Sequence, residues 1–297
     1  MFMARKHHGR AGLLTVFLSL TALTAAGCGT SSSTSPTTTS SPASTTTTPA
    51  TTSQPTTSTT TPTVGVSVYF TKDTHLYPVL RQPRYTVAVA TAAMRELLGG
   101  PSPREAALGL ASAVPAGTTL LGLSIAAGTA TVNLSSAFES GGGSTSMMLR
   151  LAQVTYTLTQ FPTVERVTFK IDGNAVTVFG GEGIVLDHPA TRAGFYNSAL
   201  APIFVDKPPA FSVVSSPLAV SGLANVFEGQ FKIQLLNSAG KVVYDGSATG
   251  MMGEWGPWSI SIPYSPLSTG TLTLRVFDLS AKDGSVIDLI EVPLSNG

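Results

Sequence analysis

The side chains best suited to catalysis are few in this chain and lie far apart. Cys28 is the only cysteine, and of the four histidines only His75 and His188 follow it. A serine-type triad needs a histidine base beside its nucleophile, and a zinc site needs three or four His, Cys or carboxylate ligands. We therefore predict no catalytic residue, no metal ligand and no cofactor-binding residue.

A run of three glycines, Gly141–Gly143, precedes a helix-like pattern and could belong to a phosphate-binding or nucleophile loop. A phosphate loop requires a lysine after its glycines, and a nucleophile elbow requires G-x-S-x-G. The segment GGGSTSMM has neither feature. We expect the glycines to let the chain turn tightly, and Ser144 or Thr145 to cap the helix that follows.

Paired carboxylates are the remaining enzymatic pattern, since two acids can hydrolyse a wall glycan. Glu139, directly before the glycines, is expected to favour the helix N-terminus electrostatically. Asp187 and His188 precede a proline and are expected to be loop residues that do not form a triad-like hydrogen bond. The acidic residues between positions 96 and 187 are scattered along the sequence rather than paired: Glu96, Glu105, Glu139, Glu165, Asp172, Glu182 and Asp187.

The N-terminus has the pattern of an export signal. Three basic residues within the first ten precede the apolar run AGLLTVFLSLTALTAA, which is too short to span a membrane. Cys28 follows Ala25-Ala26-Gly27, and this resembles the lipobox of bacterial lipoproteins. The resemblance implies a signal peptide over 1–27, a palmitate-type lipid anchor on Cys28 and a location on the extracytoplasmic face of the cell membrane. The alternative is a secreted protein with an unmodified cysteine.

Residues 28–63 are rich in Ser, Thr and Pro, and no charged residue occurs between Arg10 and Lys72. Such a composition buries too little apolar surface to offset chain entropy, so we predict a disordered tether. Serine- and threonine-rich tethers can carry O-glycans, and the sequence is compatible with a glycosylated or an unmodified tether. The net charge is +1 and only 11% of residues are charged. Without a basic stripe, nucleic acid is not an expected partner.

From residue 64 the pattern changes to regular alternation and helical spacing. It predicts an α+β domain of order β-α-β-β-α-β over 64–185, with two helices on one face of a sheet. The second helix, 145–160, has an apolar stripe of Met147, Leu151, Val154 and Leu158. Arg150 and Gln153 fall off that stripe and are predicted to face a neighbouring subunit.

Residues 186–200 are predicted to link this domain to an all-β region over 201–297. Seven short β-segments separated by Pro, Gly, Asn and Ser favour an immunoglobulin-like sandwich. Trp258 alternates with isoleucines and is expected to be buried. Met251, Met252 and Trp255 fall in a Gly-rich hairpin tip, and their exposure there would provide a site for a partner or a glycan.

Two long patterns resemble known families. The segments VPAGTTLL, VNLSSAF, GGGS, QVTYTLTQFP and VERVTFKIDG resemble the GerMN domain of bacterial spore formation and germination. The region from PIFVDKPPAF to DLIEVPL resembles the immunoglobulin-like domain of bacterial spore germination. The GerMN fold is similar to ring-building motifs, which are α+β modules that assemble into membrane-associated rings, and neither family implies catalysis.

These resemblances imply a non-catalytic envelope lipoprotein that acts as an assembly or scaffold module, related to sporulation or germination machinery. Its expected partners are other envelope proteins or further copies of itself. The alternative is a module that binds peptidoglycan or another glycan at the cell wall.

Overall fold

The computed structural model describes residues 61–265 and 270–297, and Ser58–Gly297 form one compact unit. The predicted signal peptide, Cys28 and nearly all of the predicted tether lie outside the described residues. No helix among the described residues is long and apolar enough to cross a membrane.

The first part of the fold is mixed α/β, which confirms the predicted class. Its strands are β1 (Val66–Lys72), β2 (His75–Arg81), β3 (Leu110–Ala111), β4 (Leu120–Ala126), β5 (Thr129–Leu134), β6 (Arg166–Ile171), β7 (Asn174–Ala175), β8 (Val178–Phe179) and β9 (Ile184–Val185). Its α-helices are α1 (Val89–Leu98), α2 (Pro103–Ala106) and α3 (Ser144–Leu158), with a 3-10 turn at Ser136–Glu139.

The predicted single sheet is wrong, because the strands divide into separate sheets. One sheet has the order β2-β1-β3, another has the order β4-β5-β6-β7, and β8 pairs only with β9. The hairpin β4–β5 and the parallel pair β5–β6, joined through α3, follow the predicted order. Strand β2 was not anticipated, since it contains Pro78, which lies opposite Tyr69 of β1. Proline is tolerated in a strand only where no ladder hydrogen bond is needed from its nitrogen.

Helix α3 is buried on nearly all sides. The predicted stripe of Met147, Leu151, Val154 and Leu158 is buried, which confirms it as core. The opposite face is buried too, and its polar members include Gln153 and Thr157. The helix therefore lies between elements rather than on the surface of one sheet.

Polar side chains of α3, together with Gln160 in the turn directly after it, occupy the edge of β1 that no strand covers at residues 67 and 69. Gln160 accepts a hydrogen bond from the Ser67 amide (2.7 Å) and donates one to the Ser67 carbonyl (2.6 Å). Thr157 accepts from the Tyr69 amide (3.4 Å), and Gln153 donates to the Tyr69 carbonyl (2.9 Å). The spacing 153, 157 and 160 places these side chains on one helix face. This glutamine–threonine ladder replaces a missing strand.

The second part is a β-sandwich, as predicted. Its strands are β10 (Ile203–Lys207), β11 (Val213–Val214), β12 (Leu218–Val226), β13 (Gln230–Asn237), β14 (Val242–Thr249), β15 (Met251–Met252), β16 (Gly256–Ile262), β17 (Thr271–Leu279) and β18 (Val286–Asn296). One sheet contains β10, β12, β15 and β16, and the other has the order β11-β18-β17-β13-β14. Trp258 is buried as expected, with its ring edge-on to Phe231 (5.1 Å between centroids).

The segment predicted as a linker is packed into the structure. It contains a 3-10 turn at Arg192–Phe195 and the short helix α4 (Tyr196–Ala199), and the side chains of Phe195, Ala199 and Leu200 are buried. The two parts also share backbone hydrogen bonds, because Ala210 donates to Pro78 O and accepts from Leu80 N (2.9 Å each). The two parts therefore form one body.

Candidate interaction surfaces

The glycine run forms a loop that encloses the guanidinium of Arg150. Arg150 donates to the carbonyls of Phe138 (2.9 Å) and Gly141. The predicted caps are wrong, because Gly143 is the N-cap and neither Ser144 nor Thr145 caps the helix with its side chain. Glu139 accepts a hydrogen bond from the Gly180 amide (3.3 Å), and its expected electrostatic effect on the helix N-terminus stays a prediction. The loop carbonyls are thus held by a buried arginine.

Gly142 has a φ of +81°, and a Cβ added there would lie 2.6 Å from the Arg150 guanidinium. We therefore expect Gly142→Ala to lower the free energy of unfolding by about 1–3 kcal/mol, through backbone strain and displacement of Arg150. Gly143→Ala is the matched control, since Gly143 has φ −94° and nothing within 4 Å of such a Cβ. Urea unfolding of both variants checks the prediction, and equal losses would contradict it.

Arg150 and Gln153 were predicted to face a neighbouring subunit, and the structure contradicts this. Arg150 is 2% exposed and Gln153 is 0% exposed. Burial lowers the pKa of Arg150, and its Nε has no hydrogen-bond partner among the described residues. Gln153 binds two backbone groups, since it also accepts from the Ala113 amide (2.8 Å). Both side chains therefore lie inside the protein and hold backbone groups by hydrogen bonds.

Two of the carboxylates considered for catalysis share one structural partner. Glu96 and Glu105 converge on Arg81, which donates to both (2.9 and 2.7 Å). Burial alone would raise the pKa of Glu105, but hydrogen bonds from Arg81 and Ser102 outweigh burial and lower it. Both acids thus form ion pairs with the same arginine, which is a structural role.

The neighbours Asp187 and His188 do form a hydrogen bond, at 2.8 Å, so that expectation is wrong. Their side chains are 69% and 85% exposed, and the hydrogen bond from His188 lowers the pKa of Asp187. The ranges 61–265 and 270–297 contain no grouping of three or more His, Cys, Asp or Glu side chains that could hold a metal ion.

A polar cluster joins the two parts of the molecule. Arg192 donates to Asp206 (3.0 Å), to the Tyr69 hydroxyl (3.0 Å) and to Thr159 (2.9 Å). Tyr69 in turn donates to Asp206 (2.6 Å), and the Arg192 guanidinium lies 4.5 Å from the Tyr156 ring centroid. Burial alone would lower the pKa of Arg192, but the Tyr69 and Asp206 oxygens raise it above its ordinary value. We call these five residues the Arg192 cluster.

Four buried tyrosines, Tyr69, Tyr77, Tyr156 and Tyr264, should make the fold sensitive to alkali, because burial raises the pKa of each. Burial raises the pKa of Tyr69, Tyr77 and Tyr156 well above 10.0. Above pH 10 the unfolded chain loses these protons while the folded chain retains them, so stability must fall as pH rises. Each tyrosine contributes about 1.4 kcal/mol per pH unit.

Urea unfolding between pH 8 and 11.5 measures that slope. Tyr69→Phe should make the slope above pH 10 shallower by about 1.4 kcal/mol per pH unit, the contribution of one tyrosine, whatever its effect at neutral pH. A slope equal to that of the unsubstituted chain would show that Tyr69 does not remain protonated.

The second part of the molecule exposes large apolar side chains at one end. Met251 is 47% exposed and Met252 is 71% exposed, in line with the sequence. Trp255 differs, because it is only partly exposed: its indole donates to Asn197 (2.6 Å) and its ring lies 5.8 Å from that of Tyr196. Trp255 therefore anchors the hairpin to the connecting segment.

Phe227 belongs to the same end and was not anticipated. It is 82% exposed and follows Val226, which pairs with Met252 in the parallel β12–β15 register. The sequence makes it the last residue of the predicted β-segment LAVSGLANVF, and the β12–β15 pairing brings this strand end beside the methionines. We call Phe227, Met251 and Met252 the apolar tip. Glu228 and Glu254 are exposed next to it in sequence.

Two segments of the chain match known protein families. Residues 67–177 match the Germane family, described as sporulation and spore germination, and residues 202–285 match Gmad2, an immunoglobulin-like domain of bacterial spore germination. The chain carries a Germane domain and a Gmad2 domain. Both resemblances seen in the sequence are thereby confirmed. Neither description names a catalytic activity.

Two solved structures are similar to the chain. The tandem GerMN domains of the sporulation protein GerM from Bacillus subtilis match at 16% identity and a TM-score of 0.40, over 68% of this chain and 61% of that one. The first GerMN domain of the same protein matches at 24% identity and a TM-score of 0.36, over 44% of this chain and 98% of that one. No curated protein sequence matches the chain.

Proposed function

We propose that the chain is a non-catalytic envelope lipoprotein, anchored to the membrane through Cys28, whose Germane and Gmad2 domains serve protein–protein assembly. The apolar tip is the observation that carries the proposal. Phe227 and Met252 are large, apolar and mostly exposed, and adjacent apolar groups of this kind gain free energy when a partner removes them from water.

The tip is held rigidly, which favours recognition. Gly250 donates a backbone hydrogen bond to Gly229 (2.9 Å), which ties the two loops together. Trp255 fixes one of these loops to α4 through Asn197. A surface that is already ordered loses little conformational entropy when it binds.

The chemistry of the tip favours a protein partner. Its side chains offer apolar area and two flanking carboxylates, Glu228 and Glu254, which suit an apolar patch rimmed by Lys or Arg. An anionic lipid surface would repel the same carboxylates. A glycan would find few hydrogen-bond donors on the tip, so the wall-binding alternative is the weaker of the two.

Photo-cross-linking in the living cell tests this surface. A photoreactive residue at Phe227 or Met252 should give discrete protein adducts. The same residue at Lys241, exposed at the opposite end of the β13–β14 hairpin, should not. Absence of adducts from the tip, or equal adducts from Lys241, would overturn the proposal. Adducts with peptidoglycan alone would favour the wall-binding alternative.

The anchor is tested separately. A lipoprotein with several acyl chains is held firmly by the membrane, so Cys28→Ala should release the protein into the soluble fraction. Full membrane retention of that variant would contradict the lipid anchor without affecting the tip.

A further inference from the structure

Strand β4 forms an open edge of the sheet β4-β5-β6-β7, since within the described ranges only β5 pairs with it. The turn that joins them, Ala127-Gly128, has φ of 47° and 74°, as in a type I′ hairpin. Ala126 and Thr129 are then the hydrogen-bonded pair that closes the hairpin. Because the pattern alternates, Leu123 and Ile125 direct their N–H and C=O groups away from β5.

The edges of β1, β2 and β16 are protected, whereas the edge of β4 is not. The glutamine–threonine ladder covers β1, and the backbone of Ala210 covers β2. Edge strand β16 contains Pro257 and is followed by Pro263. The sequence of β4, LLGLSIA, has no charge and no proline, which are the usual devices against strand pairing.

An apolar groove of about 330 Å³ runs beside this edge. It lies between β4 and the start of α1, and its lining includes Leu123, Ile125, Val87 and Phe161. Val87 is 93% exposed and Ile125 is 41% exposed. No charged residue lines the groove, so it suits apolar, uncharged side chains.

We propose that the occupant is β4 of a second copy, paired antiparallel about Ser124. In this register Leu123 lies opposite Ile125 of the other copy, and Gly122 lies opposite Ala126. The pairing uses the regular part of β4, because its bulge lies between Leu120 and Gly122. Every side chain then meets one of matching size and polarity, and no like charges meet.

The pairing joins two four-stranded sheets into one and satisfies the outward amides and carbonyls of both edges. It deepens the proposed assembly role, on which it rests, by naming one partner. It uses a different surface from the apolar tip, so the two can fail independently.

Disulfide trapping tests the register. In this register Ser124 of one copy lies opposite Ser124 of the other, as a non-hydrogen-bonded pair. The Cα atoms of such a pair lie about 4.5 Å apart, which is within reach of a disulfide. Ser58–Gly297 holds its own core and lacks the single cysteine. Ser124→Cys in this soluble chain should form a covalent dimer at micromolar concentration on mild oxidation. Asn174→Cys, on β7 at the opposite edge, is the control, and equal rates for the two variants would overturn the proposal.

Sedimentation velocity tests the association itself. The unsubstituted soluble chain should be dimeric at 100 µM, and Ser124→Lys should be monomeric at the same concentration with its thermal unfolding midpoint retained. Asn174→Lys should stay dimeric. A monomeric unsubstituted chain, or a dimeric Ser124→Lys, would overturn the proposal. Phe227→Ser and Met252→Ser should leave the dimer intact, which separates this surface from the apolar tip.

Discussion

Arg192→Ala is expected to lower the free energy of unfolding by about 3–5 kcal/mol and to turn one unfolding transition into two. The side chains of Arg192 and Asp206 are only 23% and 21% exposed. Removing one member of such a pair leaves a largely buried charge without its partner, which accounts for a loss of this size. Tyr69 and Thr159 lose hydrogen bonds in the same variant.

Two transitions are expected because the cluster joins residues from both parts of the chain. Tyr69 lies on β1 and Asp206 lies on β10, and Arg192 binds both. Without it, the sandwich loses a main link to the first part and can unfold separately.

Arg166→Ala is the matched control for Arg192→Ala. Arg166 pairs with Glu165 at 3.1 Å, with side chains 40% and 72% exposed, and also donates to Thr129 (2.9 Å) and to the Ala127 carbonyl (3.1 Å). An exposed ion pair of this kind contributes about 1 kcal/mol or less.

Urea unfolding followed by circular dichroism and by tryptophan fluorescence measures both variants. Trp258 is buried in the sandwich and Trp255 lies where the sandwich contacts α4, so fluorescence reports the sandwich and that contact. A single shared transition and a loss no larger than that of Arg166→Ala would contradict the role of the cluster.

Gln153→Leu is expected to lower the free energy of unfolding by about 2–5 kcal/mol. Leucine has nearly the same volume, so the loss comes from hydrogen bonding rather than from a cavity. The carbonyl of Tyr69 and the amide of Ala113 would both lose their partner, and each unpaired buried group costs about 1–3 kcal/mol.

Gln230→Leu, at the exposed start of β13, makes the same chemical change where the side chain faces solvent. It should shift stability by less than about 0.5 kcal/mol. Amide hydrogen exchange adds a local measurement, since exchange of the Ala113 amide should accelerate in Gln153→Leu. Protection of that amide equal to the unsubstituted chain would contradict the ladder.

The sequence predicts local elements better than their partners. Alternating residues identified the hairpin β4–β5 and the seven main strands of the sandwich, because period-two patterns report which face is buried. The apolar stripe of α3 was predicted in the same way. Its polar face was misjudged, because helical spacing cannot show whether Gln153 meets solvent or the backbone of Tyr69, which lies 84 residues away in sequence.

The candidate surfaces show the same limit. Met251 and Met252 were predicted because glycines mark a hairpin tip where apolar groups stand exposed. Phe227 was missed, since only the β12–β15 pairing places it beside Met252. The inward position of Arg150 depends on carbonyls of the glycine loop that converge only after folding. Long-range contacts decide both cases, and local spacing does not encode them.

The central claim is that the Germane and Gmad2 domains act by protein assembly rather than by binding the wall. The most direct test is sedimentation of Ser58–Gly297 with purified peptidoglycan, measured beside its mass by light scattering. The account predicts no saturable binding to peptidoglycan and a mass above that of the monomer. Saturable wall binding together with a strictly monomeric mass would contradict it.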